Sequence, residues 1–209
     1  LGARLSSGLR VLDVGAGECQ YAYLFNKRNE YESCDMQDSF HSDVEYDIVS
    51  SIYDIPRNDS SYDIVLMLQV LEHIEFPVKA LKEINRILKK GGVLFLSVPQ
   101  AAGDHFAPYH YFNYTQYGLD SVLKRAGFEI MSMDRLEGMF VYVGNRIQKL
   151  GAIIYYQNLD KNYFCKMLCL LFMSVCFWMG FALSMLNSLD KQKQYCIGII
   201  AVCRKNIKC

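Results

Sequence analysis

The stretch Val11-Leu12-Asp13-Val14-Gly15-Ala16-Gly17 sets two glycines, one residue apart, directly behind a short apolar run. Such glycines let a backbone turn sharply and approach a ligand without interference from Cβ, so Gly15, Ala16 and Gly17 are expected to cradle one. A dinucleotide fingerprint would carry a third glycine at position 20, where this chain has Gln20. Asp13, two residues before the first glycine, suits a ligand that presents an ammonium better than one that presents a pyrophosphate. Asp35 closes the next strand-like run, where a carboxylate can accept both hydroxyls of a ribose. Asp54 follows a third run and precedes Ile55-Pro56, placed to accept from a purine amino group while Ile55 packs on the ring. Each acid alone reads equally well as a turn residue. Three at consecutive strand ends share the sheet edge at which open α/β folds bind ligands.

Two later segments offer groups for proton transfer. His73, in Leu71-Glu72-His73, follows a fourth strand, with Gln69 and Val70 nearer the ligand pocket. Imidazole titrates near neutrality and can serve as a base; the competing role is a helix-start residue bonded to backbone. The run His105-Phe106-Ala107-Pro108-Tyr109-His110-Tyr111-Phe112-Asn113-Tyr114-Thr115 follows a fifth strand. His110 is the first candidate for a general base there, and Tyr111 and Tyr114 supply flat walls and hydroxyls for a sugar or aromatic acceptor. The alternative is an aromatic loop that only packs on the sheet. The eight cysteines form no C-x-x-C pair and no Cys/His cluster at zinc spacing, so no metal is expected. Their scatter fits a reduced compartment.

The elements that must position these residues alternate between strand and helix for 133 residues, the pattern of a parallel sheet covered on both faces. Strands are expected at "LRVLDVG", "EYESCD", "YDIVSSIYD", "SYDIVLMLQV", "GGVLFLSVP" and "FEIMSMD". Pro77 to Lys90 carries Val78, Leu81, Ile84, Ile87 and Leu88 at the spacing of one helix face, with Gly91-Gly92 as its stop. A second helix follows Thr115 as N-cap and ends at Gly127. Beyond residue 139 the alternation fails, until "YCIGIIAVCRK" reads as a last strand.

"VLDVGAGE" and then "DIPRNDSSYDIVLMLQVLEHIEFPVKALKEINRILKKGGVLFLSVPQ" resemble the class I S-adenosylmethionine (SAM)-dependent methyltransferases, nearest the group that includes ubiquinone-, menaquinone- and bacterial envelope-glycan enzymes. The resemblance covers residues 9 to 133 and the last strand. It implies SAM as cofactor and a Rossmann-like α/β three-layer sandwich. Its sheet would have seven mostly parallel strands, an antiparallel last strand, and an apolar helical insertion between strands six and seven. Asp13 would then face the ammonium of SAM, directly or through water, and Asp35, Asp54 and Ile55 its nucleoside, with Gln69 lining the pocket. Cys19 stands where the family often has a further glycine, and His110 and Asn113 depart from the envelope-glycan pattern. A non-catalytic SAM-binding protein is therefore the alternative function, while Gln20 and Asp13 weigh against a nicotinamide-dependent oxidoreductase.

Charge and hydropathy divide the chain further. Lysine and arginine together number 22, as do aspartate and glutamate, so no global field argues for nucleic acid. From Lys149 to Cys209, however, eight basic residues face two acidic ones, leaving the first 148 residues at −6. Met167 to Leu186 contain no charge; as a helix they span about 30 Å. A single crossing would separate the last strand from its sheet, and Val141–Tyr156 is too polar to span. A monotopic helix or hairpin at the cytoplasmic face of the membrane is therefore expected, against burial in a homodimer or an internal core, or a true span. The domains expected are a core at 1–138, an apolar insertion at 139–192 acting as a lid, and a returning strand at 193–209. The acceptor would be a small or lipid-linked molecule, an envelope glycan or a prenylated ring. The chain opens at Leu1, almost directly onto a strand, as a trimmed sequence would.

Overall fold

The computed structural model describes residues 7–25, 29–36 and 44–206. Its elements run β1 (Arg10–Val14), β2 (Glu30–Asp35), β3 (Ile48–Val49), β4 (Tyr62–Leu68), α1 (Pro77–Ile87), β5 (Leu88–Pro99), α2 (Gln116–Arg125), β6 (Phe128–Leu136), α3 (Met139–Gln157), α4 (Tyr163–Met185) and β7 (Gly198–Lys205). The seven strands form one sheet in the order β3-β2-β1-β4-β5-β7-β6. It is parallel except for β7, which runs antiparallel to its neighbours. Strand order reverses between β1 and β4, and the crevice beyond their carboxyl ends is where such sheets take ligands.

β1 and β4 are apolar on both faces, as strands covered on two sides must be. Val11, Leu12, Val65 and Met67 have no exposed surface. Helix α1 turns Ala80, Leu81, Ile84 and Ile87 to the same interior, each fully buried; a side chain of this kind contributes about 1.5–3 kcal/mol when removed from water. Thr115 caps α2, its hydroxyl accepting from the Gly118 amide at 3.1 Å.

Two expected elements change their extent. Helix α1 stops at Ile87 rather than Lys90, because Leu88 already pairs with Tyr62 as the first residue of β5. The Lys89 ammonium holds Asp63 of β4 at 2.8 Å, and Lys205 of β7 donates to the Leu88 carbonyl at 2.7 Å. The next ladder pair is Ile64 with Val93, so Gly91 (φ +76°) and Gly92 form a bulge within β5 rather than a helix stop. β3 shrinks from nine expected residues to two. It is an edge strand, and Asp47 before it uses its carboxylate on the amide and hydroxyl of Ser33.

The chain divides into two compact units, Leu1–Asp134 with Ile199–Cys209, and Arg135–Gly198. The second is a helical hairpin. Helices α3 and α4 lie close enough that a Cβ on Gly144 would stand 2.6 Å from the Gly180 carbonyl oxygen, and one on Gly151 would stand 2.7 Å from Cys176 Cβ. Helix α4 is long and apolar enough to cross a membrane, with a mean hydropathy of 2.1, and little of it is buried within the protein.

Candidate active site

A cleft of about 630 Å³ opens at the carboxyl ends of β1, β2 and β4, within the range of small-molecule and cofactor sites. The turn after β1 forms its floor. Gly15 (φ +69°) and Gly17 (φ +51°) both take left-handed backbone, and a Cβ on Gly15 would meet Val70 at 2.3 Å. Only glycine fits there. Asp35, at the end of β2, accepts the Gly17 amide at 2.9 Å on one oxygen and the Met36 amide at 2.7 Å on the other. The turn and the acid are thus fastened to each other before any ligand arrives.

Asp13 lies beneath, 2% exposed, accepting the Tyr31 hydroxyl at 2.8 Å. Burial outweighs that bond and pushes its carboxyl up to about 6, with Asp35 adding to the rise. An incoming ammonium would reverse the shift. Gln69, after β4, adopts φ +59° while its amide donates to the Ser97 carbonyl and its side chain to the Ser97 hydroxyl. Left-handed non-glycine backbone held this way commonly marks a site.

The opposite wall comes from the turn Leu71–His73 and from the loop after β5. His73, Phe106 and Tyr109 reach the cleft. The loop is held by its own backbone: the amides of Tyr111 and Phe112 donate to the Glu72 carbonyl, and that of Tyr114 to the Pro99 carbonyl. His73 Nδ1 bonds the Tyr109 carbonyl at 2.9 Å, and His105 Nδ1 the Gly103 carbonyl at 2.9 Å. The His73 and His105 rings meet edge to face at 4.8 Å, and His110 lies 4.3 Å from His105. Burial lowers the His73 imidazole from its ordinary value. Glu72, with no exposed surface, is pushed up to about 7 by the same cause.

Six of the expected cofactor residues, Asp13, Gly15, Ala16, Gly17, Asp35 and Gln69, line this cleft, and so does His73. Asp54 and Ile55 do not. Asp54 is exposed, and Ile55 is 1% exposed in the core. The Ile55 amide donates to Glu83, and its carbonyl accepts from Arg86, both on α1. These bonds turn the segment toward the helix. Nor do His110, Tyr111 or Tyr114 line the cleft. Tyr114 is buried with its hydroxyl directed at the Leu71 carbonyl, a packing role. The His110 side chain is 4% exposed and packs against the His105 ring at 4.3 Å. Cys19 takes the glycine-like φ of +52° but stands off the cleft, near Tyr31 and Ser33. Sequence reading passed over Glu72, His105, Phe106 and Tyr109. One signal was available: three of the chain's four histidines fall on the loops leaving two adjacent strands.

Residues 12–96 match the family model for a methyltransferase domain. Over 97 residues the chain is 34% identical to the mitochondrial ubiquinone biosynthesis O-methyltransferase of Candida albicans, covering 46% of this chain and 27% of that protein. Over 86 residues it is 29% identical to a Mycolicibacterium smegmatis protein named as a probable S-adenosylmethionine-dependent methyltransferase, covering 38% and 34%. The matched residues and these relatives support a methyltransferase domain of the class I SAM-dependent kind over residues 12–96. The chain spans about a quarter to a third of the length of these relatives. The fold also resembles the [4+2]-cyclase SpnF, with TM-score 0.60 and 20% identity, covering 97% of this chain and 76% of that one. The methyltransferase architecture is therefore compatible with more than one chemistry.

The residues present fit SAM. The turn at Gly15–Gly17 leaves its backbone open to a ligand, a nearly buried carboxylate awaits a cation at Asp13, and a second carboxylate is pinned at Asp35.

Proposed function

We propose that the chain transfers a methyl group from SAM to a small or lipid-linked acceptor. The observation that carries this is the gathering of Asp13, Gly15–Gly17, Asp35 and Gln69 into one cleft whose far wall is His73, Phe106 and Tyr109. Bound SAM supplies an activated methyl on a sulfonium. Asp13 holds the ammonium, Asp35 orients the ribose, and Phe106 and Tyr109 exclude water and give the acceptor a flat wall. Positioning of this kind accounts for much of the rate, up to roughly 7–11 kcal/mol at the intramolecular limit. His73 is the group placed to take an acceptor proton. Its Nδ1 is engaged with a carbonyl, which leaves Nε2 as the basic nitrogen, and burial favours its neutral form.

The hairpin α3–α4 supports a membrane surface as the place of action. Trp178, Phe164 and Leu171 are more than half exposed on α4, and lysines 161, 166, 191 and 193 flank the apolar stretch, the composition of an interfacial helix beside anionic lipid. An acceptor carried by lipid follows from this reading.

Radiolabelled methyl transfer from SAM tests it, with a membrane lipid extract and its delipidated, water-soluble fraction as parallel acceptors. Label entering the lipid fraction fits the proposal, and equal turnover of both fractions removes the lipid-linked acceptor. A second reading, binding of SAM without transfer, is favoured by the burial of His110 and Tyr114 away from the cleft. Cofactor binding with no labelled product from either fraction would establish it.

A further inference from the structure

Glu72, His73, His105 and His110 form a cluster that the fold assembles and does not satisfy. One donor atom each from Glu72, His73 and His105 lies within 4.8 Å of the others. His73 Nε2 stands 3.9 Å from Glu72 Oε1. Both carboxylate oxygens of Glu72 and both ring nitrogens of His110 are buried without a hydrogen-bond partner among the described residues. A buried carboxylate left this way costs several kcal/mol unless something compensates it. The nearest charged group to His110 is Asp104, 3.8 Å from Nδ1 and fully exposed.

The outer contacts set the tautomers. His73 and His105 each engage a backbone carbonyl through Nδ1, which leaves both Nε2 lone pairs free on the cluster side. Metal-binding imidazoles are oriented in this way, one nitrogen donating outward and the other ligating.

We propose that Glu72, His73 and His105, with the His110 ring packed beside them, bind a divalent first-row transition-metal ion of the zinc type at the wall of the cleft. Two imidazoles and one carboxylate, which leave a fourth position open, suit such an ion, whereas magnesium prefers oxygen donors. Zinc–nitrogen distances of about 2.0–2.1 Å bring tetrahedral ligand atoms to about 3.3 Å apart. The donor atoms, all within 4.8 Å of one another, therefore close by up to about 1.5 Å on binding. The exposed loop carrying His105 is the part able to move, while Glu72 on its short turn is fixed. With metal bound, His73 is a ligand rather than a free base. An acceptor oxygen in an open coordination position would then meet a Lewis acid at the cleft wall. The inference deepens the reading of this wall but stands on the cluster's geometry and needs no SAM.

Chelator-stripped protein is titrated with Zn²⁺ in a calorimeter and with Co²⁺ by visible absorption, and S-adenosylhomocysteine binding is measured alongside. The expected result is one metal per chain, Co²⁺ bands typical of a low-coordinate nitrogen and oxygen site, and no displacement by an equal concentration of Mg²⁺. His105→Ala, on the exposed loop, and the isosteric Glu72→Gln should each weaken Zn²⁺ binding at least about tenfold and change the Co²⁺ spectrum, with far-UV circular dichroism unchanged. Folded wild type that binds no stoichiometric Zn²⁺ would overturn the proposal. So would binding that survives both substitutions. Metal binding without S-adenosylhomocysteine binding would uphold the cluster and count against the methyltransferase reading alone.

Discussion

The two walls of the cleft are built on opposite plans. On the β1–β2 side Asp35 and Asp13 are both engaged: Asp35 takes two backbone amides and Asp13 takes a tyrosine hydroxyl. On the side formed by the turn after β4 and the loop after β5, Glu72 and His110 are buried with no hydrogen bonds to their side chains among the described residues. The first wall is organised in advance for a fixed ligand. The second holds its chemistry in reserve, at a cost in stability that sites commonly carry.

The largest expected effect breaks the organised wall directly. Gly15→Ala adds a Cβ 2.3 Å from Val70 at φ +69°; left-handed strain and overpacking together should cost about 2–5 kcal/mol. Chemical denaturation should show that loss, with cofactor affinity falling in whatever fraction remains folded. A variant as stable as wild type would mean the turn is not held as described.

Next comes pH. Burial raises the Asp13 carboxyl from its ordinary value of 3.8 to about 6, so between those values the folded chain holds a proton that the unfolded chain releases. Stability from this group is fully present below about pH 4 and is lost as pH rises toward 6, by about 3 kcal/mol. Asp13→Asn should remove that part of the pH dependence. Binding runs the other way: a ligand ammonium prefers the carboxylate, so affinity should rise as pH passes 6. Affinity flat from pH 5 to 7 would separate Asp13 from the ammonium.

The smallest effect sharpens the comparison. Cys19 holds φ +52° off the cleft, so Cys19→Gly should relieve about 0.5–1 kcal/mol of backbone strain and leave cofactor affinity unchanged. A tighter-binding Cys19→Gly would show instead that the thiol does intrude on the ligand.

The contrast between the walls also sets what could be read from sequence. The Asp13–Gly17 turn and Asp35 were legible because their spacing is local: a turn needs glycines at fixed offsets, and a parallel strand ends where its apolar run ends. Burial in α1 followed its 3.6-residue period, with Leu81, Ile84 and Ile87 all inward. The end of that helix was not legible, because Lys205, more than a hundred residues away, and Asp63 determine where β5 begins. Asp54 and Ile55 fall outside the cleft lining for a similar reason. The bonds from Glu83 and Arg86 that draw Ile55 inward belong to another element. The histidine cluster joins residues 72–73 with 105 and 110, which no local spacing brings together; only the adjacency of β4 and β5 does.

The central claim is that the organised wall holds SAM, and calorimetric titration of S-adenosylhomocysteine into wild type and Asp35→Ala tests it most directly. The account predicts saturable one-site binding to wild type, weakened about tenfold or more in the variant by loss of charge-assisted hydrogen bonds. Well-folded wild type that binds no S-adenosylhomocysteine, or a variant that binds it equally well, would contradict it.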